Sequence, residues 1–413
     1  MDARATGRAP WALRFLFLGT GAWTAAVAPF VVVILRSRGL DTVTIGLLSA
    51  LSALGATLFV PAWGHLADVI AGRAYAFRIG LGVATGAALV ILLPVPLPVF
   101  VLMMAGFSVL PILFMSLGDA LAMDGLPAPE RQYGSLRALS SLSFAVGVIA
   151  SGFIYDAAGY PAVPFVALVW SVAMFLVLGR VPDRTRSPTV RAIAGREGGD
   201  SAAGRFGSVS RVLAVQPRFL AVLAVFTVAF TGLQGAMVFL PIRIVELGGQ
   251  PSDVALTYGI SSFAEIPGLV LVGWLGRRVG IRWIVVLSFV AYGLCIVSWG
   301  VLAAPLAINA TRLVTGLCYG TLAGARVLIV ARLLPEPLQA TGQGMGQAAT
   351  SALGSAFGGV VAGVVYGGFG ATAFFAFAGL LAIAGGLGAW VVLYGRVGAP
   401  VRATEPIPVA PLD

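Results

Sequence analysis

Lysine is missing from this chain altogether, and among its 413 residues there is one histidine, His65. Without lysine there is no Walker A loop, whose Lys must reach the nucleotide phosphates, so ATP-driven pumping by this chain alone is excluded. A lone histidine without cysteine partners cannot form a zinc site. The two cysteines, Cys295 and Cys318, fall inside apolar runs, where cysteine is a small packing residue, and neither a disulfide nor a metal role has support. Charge is scarce too: 10% of residues are charged and 59% are hydrophobic, with a mean hydropathy of +0.98. No soluble globular chain of this length needs that composition. The expected fold class is therefore an all-α membrane protein, with no cofactor.

What is present is a series of apolar runs of the roughly 20 residues that a bilayer core requires. Twelve are expected, near 11–35, 42–67, 77–94, 97–121, 135–156, 161–180, 217–242, 252–276, 281–302, 305–332, 338–366 and 371–394. In lipid each must be a helix, because every backbone polar group has to be satisfied within its own segment. Residues 181–216 switch to Arg, Ser, Gly and Asp without apolar period, which reads as a flexible cytoplasmic linker. The expected organisation is a six-helix bundle over 1–180, the linker over 181–216, a second six-helix bundle over 217–396 and a tail over 397–413. The first run follows a basic start and carries Ala26-Val-Ala28, as a secretory signal would. Pro29 after such a cut, and the loss of one of six spans, oppose cleavage.

The net charge of +10 would suggest nucleic acid in a soluble protein. Here the arginines mark membrane orientation instead. Arg4, Arg8, Arg73, Arg131, Arg184, Arg186, Arg191, Arg196, Arg205, Arg211, Arg277, Arg278, Arg282, Arg332, Arg396 and Arg402 fall at the termini and the even-numbered junctions, whereas the other side holds only Arg36, Arg38 and Arg243. The excess predicts that both termini are cytoplasmic, in a multi-pass inner-membrane protein. No nucleic-acid partner is expected; the bilayer is the partner.

The second half repeats the first. Gly64-His-Leu66-Ala-Asp68 with Gly72-Arg73 is answered by Gly273-Trp-Leu275-Gly-Arg277 with Gly280, at an offset of 209 for the leading glycine. Leu126-Pro127-Ala-Pro129 is answered by Leu334-Pro335-Glu-Pro337 at 208, and Gly152, Tyr155 and Gly159 by Gly363, Tyr366 and Gly370 at 211. Two pseudo-symmetric six-helix bundles are the economical reading, a plan typical of secondary transporters.

This plan, with Gly64, Asp68, Gly72 and Arg73 between the second and third spans, resembles the major facilitator superfamily. In that family the loop reads G-x-L-a-D-r-x-G-r and its Asp acts on conformational balance; here Gly72 follows Asp68 by four residues, one more than in the family. Asp119, Tyr133-Gly134-Ser-Leu-Arg137, Phe144 and Gly152-Phe-Ile-Tyr155-Asp156 are similar to the branch of lactose-permease-like, phenylpropionate-permease-like and nucleoside-symporter-like proteins. That resemblance implies a substrate role for Asp119 and Arg137, and a ring-stacking place for Phe144, where sugar binders carry Trp. It also implies a proton-coupling role for Glu265 and a place for Arg312 near a basic residue of the tenth span.

Read on its own chemistry, Glu265 is a carboxyl near the middle of an apolar span, which costs on the order of 2.5 to 3.5 kcal/mol on insertion scales. Desolvation favours its protonated form, as a reversible proton carrier requires. A structural ion pair with Arg312 is the plainer alternative. Gln234, Tyr258 and Tyr319 could hydrogen-bond a ligand or simply pack. The expected function is secondary active transport of a small polar or amphipathic solute, coupled to protons, by a monomer that is not an enzyme. A drug or metabolite efflux antiporter and a non-transporting sensor or assembly protein on the same scaffold remain alternatives at this point.

Overall fold

The computed structural model describes residues 10–68, 72–183, 212 and 216–394, and among these there are helices and turns but no strand. The loop 69–71, most of the expected linker and both chain ends lie outside the described residues. Helices follow the expected runs: α1 (Trp11–Ser37), α2 (Thr42–Leu66), α3 (Arg73–Leu92), α4 (Leu97–Gly125), α5 (Pro129–Ala158), α6 (Tyr160–Leu178), α7 (Pro217–Glu246), α8 (Pro251–Arg278), α9 (Ile281–Val301) and α10 (Pro305–Leu333). Among the described residues ten stretches are long and apolar enough to cross a membrane. The last of them, Glu336–Val392, is broken by a non-helical Gly370 (φ 81°, ψ 174°) into α11 (336–369) and α12 (371–392). Within α11 the segment Ala348–Leu353 widens to a π-turn.

Two compact units emerge. The first holds the described residues of 1–40, 54–199 and 249–259, and the second those of 41–53, 200–248 and 260–413. The division therefore does not simply follow the linker, because the first turns of α2 belong to the second unit and those of α8 to the first. Small residues explain both placements. A Cβ added at Gly363 of α11 would stand 2.6 Å from Thr42 O and 3.0 Å from Val43 Cα, and Thr42 Oγ1 donates to Gly363 O at 2.9 Å. In the first unit, a Cβ at Gly152 of α5 would meet the Ala255 side chain and Ser252 Cα at 2.9 Å, while the Ser252 N–H donates to Asp156 Oδ1 at 2.9 Å. Close backbone approach through glycine is how helices associate where lipid supplies no hydrophobic drive. At the start of α2 the Asp41 carboxylate accepts the Thr44 N–H at 2.9 Å and its hydroxyl at 2.6 Å. These bonds hold Asp41 below the ordinary 3.8 of an aspartate and cap the helix.

The duplication is written into the backbone. Among the described residues the glycines with positive φ fall into three related pairs: Gly39 (89°) and Gly248 (83°), Gly72 (82°) and Gly280 (87°), Gly159 (73°) and Gly370 (81°). Each lies in a turn that only glycine enters without strain. Aromatic packing repeats as well, with Phe30 on Tyr155 at 4.8 Å and Phe239 on Tyr366 at 4.9 Å between ring centroids. The three arginines that depart from the charge bias are all engaged with backbone carbonyls. Arg36 donates to Leu40 O, Arg38 to the Ile91 and Leu93 carbonyls that end α3, and Arg243 to the Trp299, Gly300 and Leu302 carbonyls that end α9.

Candidate functional site

In the first unit the neighbouring helices α4 and α5 bring Asp119 and Arg137 together. Arg137 Nη1 lies 3.5 Å from Asp119 Oδ1, with side chains 53% and 40% exposed. So exposed a pair adds little stability. Its groups are open to exchange partners. The Tyr133 hydroxyl lies close enough to Asp119 to feel its charge, a proximity that the residue's own spacing did not announce. Arg137, Ser141 and Phe144 follow at helical spacing along one face of α5, and Phe144 is half-buried. The other face of α5 is fixed to α1, where Ser143 Oγ donates to Leu18 O at 2.8 Å and Ser140 is buried.

In the second unit α8 crosses α10 through Gly316, Gly320 and Gly324. A Cβ at Gly320 would meet the Glu265 carbonyl and stand 2.9 Å from Leu269 N, and one at Gly316 would lie 2.8 Å from Ala264 Cβ. This contact fixes the backbone that carries Glu265. Its half-buried carboxyl is in no salt bridge among the described residues, and the charges of Glu265 and Arg326 both act on the Tyr319 hydroxyl. Arg326 in turn donates to Thr350 Oγ1, in the π-turn of α11, at 2.9 Å. The alternative pair is not formed: Arg312, only 2% exposed, donates to Thr315 Oγ1 at 2.7 Å and Tyr292 OH at 3.4 Å, and its guanidinium lies 5.5 Å from the Trp299 ring centre. Gln234 is half-buried on α7.

The loop motif forms a cluster at the junction of α2, α3 and α4. Arg73 Nε donates to Asp68 Oδ1 at 2.6 Å and its Nη1 to Asp124 Oδ2 at 3.0 Å. The α3 N-terminus is closed by Asp183, whose Oδ2 accepts the Ala74 N–H at 3.0 Å. Gly72 supplies the positive-φ turn before Arg73. Gly64 plays no such part here: a Cβ at that position would meet nothing within 4 Å. Sequence spacing pointed to Asp68 and Arg73 but not to Asp124 or Asp183, which reach the cluster from distant turns.

Asp68→Asn removes one of the two carboxylates holding Arg73 and touches none of the candidate ligand groups. Transport by this variant is expected to slow several-fold with ligand affinity nearly unchanged, measured by ligand titration beside flux. Equal losses in affinity and rate would put Asp68 in the substrate site.

Comparison with known proteins agrees with this geometry. The sequence pattern of the MFS_1 like family matches residues 11–377. A relative in Bacillus subtilis (strain 168), the "Uncharacterized transporter YwbF", is 22% identical over 338 residues, which cover 80% of this chain and 79% of the relative. Among solved structures, the nucleoside transporter NupG is 14% identical and superposes with a TM-score of 0.70 over 96% of this chain and 100% of its own. The peptide transporter POT gives 0.71 at 15% identity over 94% of both chains. A D-xylose-proton symporter gives 0.62 at 15% identity over 92% and 95%. At these identities the superpositions speak for the fold, and the family match for membership. The chain belongs to the MFS_1 like family and is a multi-pass membrane transporter of the major facilitator kind, not an enzyme.

Proposed function

We propose that this protein is a proton-coupled secondary transporter of a small polar or amphipathic organic solute, working by alternating access. Substrate is held by Asp119 and Arg137 of the first unit, with Phe144 as an apolar wall, and the proton is exchanged at Glu265 of the second. The observation that carries the reading is the state of Glu265: a half-buried carboxyl in the middle of an apolar span, in no salt bridge among the described residues. A charge there with no ion-pair partner is costly, and such residues mark ion pathways. A membrane potential supplies about 2.3 kcal/mol per charge per 100 mV, enough to drive accumulation. The relatives widen the search usefully, since they include proteins named for nucleosides, peptides and xylose.

The protein is read as lying in an inner membrane with both chain ends cytoplasmic, on the arginine bias of its junctions, and the three arginines that depart from the bias are engaged with backbone carbonyls. Proteoliposomes loaded to be alkaline inside are expected to accumulate a member of one class among sugars, nucleosides, short peptides and aromatic acids, and to lose it when a protonophore is added. Facilitated flux that ignores the pH gradient, or no flux of any class, would overturn the reading.

A further inference from the structure

The two halves differ most at the loop cluster and its repeat. In the first half Arg73 is clamped by Asp68 and Asp124, and Asp183 accepts an N–H at the start of α3. At the landmark offsets of 209 and 208, the positions of Asp68 and Asp124 are taken in the second half by Arg277 and Arg332. Gly280 repeats the Gly72 turn, and Arg282 follows it into α9. The two carboxylates that clamp Arg73 have thus given way to arginines.

No carboxylate pairs with Arg277, Arg278 or Arg282 in any salt bridge among the described residues. Aromatic rings hold Arg278 and Arg282 instead. The Arg282 guanidinium lies 3.4 Å from the Trp390 ring centre, Trp283 meets Trp390 edge-on at 4.4 Å, and Arg278 lies 4.3 Å from the Trp274 ring centre. A ring face neutralises no charge and accepts no strong hydrogen bond. Arg282 Nε is buried with no hydrogen-bond partner. The corner therefore presents guanidinium donors, at a helix N-terminus, to an anion that no described carboxylate supplies.

We propose that this corner, where α8, α9 and α12 end, binds the phosphodiester headgroup of an anionic phospholipid. Guanidinium forks match phosphate oxygens, and basic clusters at the ends of membrane helices attract anionic lipids. A lipid fits better than soluble phosphate because the stack continues into the bilayer face. Leu287 lies one turn beyond Trp283, Leu387 and Val391 flank Trp390, and all three are exposed apolar side chains. The headgroup takes the place that Asp68 and Asp124 occupy in the first half.

The test uses the full-length purified protein. Native mass spectrometry and thermal melting are run with phosphatidylglycerol or cardiolipin against phosphatidylcholine, with inorganic phosphate as a separate arm. The expected result is retention of anionic lipid, and a higher melting temperature with it than with phosphatidylcholine or phosphate. Arg282→Gln is expected to weaken retention roughly five-fold, the worth of one arginine near an anionic surface. Arg277→Asp restores the first-half pattern, gives Arg282 an internal carboxylate, and is expected to abolish the lipid effect while melting normally in phosphatidylcholine. This second variant keeps the test decisive if Arg282→Gln folds poorly. Undiminished lipid retention in Arg277→Asp would overturn the proposal, as would equal stabilisation by inorganic phosphate or no preference for anionic lipid.

Discussion

Glu265→Gln should leave exchange of labelled for unlabelled substrate intact at equal pH and abolish accumulation driven by a pH gradient. The amide imitates the protonated carboxyl permanently. Exchange needs no net proton movement, whereas uphill transport requires the group to lose its proton on one side of the membrane. The expected loss is the whole gradient-driven component. The environment of the residue makes the substitution benign for folding. Among the described residues Glu265 is in no salt bridge, so Gln strands no described cation, and Arg312 keeps Thr315 and Tyr292. Had Glu265 held Arg312, its removal would have cost about 3–5 kcal/mol and shown as lost protein. Folded Glu265→Gln protein that still concentrates substrate against a gradient would sink proton coupling at this residue, while leaving transport itself standing.

The largest structural effect is expected at Gly320. A methyl group there would run into the Glu265 carbonyl and stand 2.9 Å from Leu269 N. Both are backbone atoms of α8, so no side chain can turn aside and the two helices must part. Gly316 and Gly324 share the stripe, and the separation propagates along it. Gly320→Ala should cost about 1–3 kcal/mol by overpacking and displace the Glu265 backbone with it. Gly344→Ala is the control, since a Cβ there meets nothing within 4 Å; it should be neutral or slightly stabilising, because alanine is the better helix former. Melting curves of the two variants in one detergent compare them directly. Equal stability of both would mean that the α8–α10 contact is looser than its geometry implies.

Much of the fold was legible because the signals are local. Long apolar runs, helix-breaking junctions and the glycines of the turns announce themselves at short range, and Gly159 with Gly370 or Gly72 with Gly280 could be paired by offset alone. The pairing of Asp119 with Arg137 was also within reach, through resemblance to a family. Helix faces were not legible. In a helix that is apolar all round, no periodicity tells which side meets a neighbour, so nothing marked Gly316, Gly320 and Gly324 as the α8 contact. For the same reason Asp124 could not be assigned to Arg73, nor Tyr133 to Asp119. Arg312 drew attention as a charge in a span needing a carboxylate, yet two hydroxyls and a tryptophan ring surround it. The placement of the first turns of α2 and α8 depends on glycine contacts distant in sequence and could not be read from the runs themselves.

That placement has a mechanical consequence. α8 begins in one compact unit, up to residue 259, and continues in the other from 260, as α2 does between 53 and 54. A helix whose two stretches pack in different compact units owes its course to two separate sets of contacts. Glu265 stands six residues past the changeover, roughly 9 Å along the axis. Pro267 follows two residues later inside the same helix and leaves the Phe263 carbonyl without its usual partner. The stretch that carries the carboxyl therefore lacks one rung of its helical ladder, and its backbone is held instead by the close approach of Gly320.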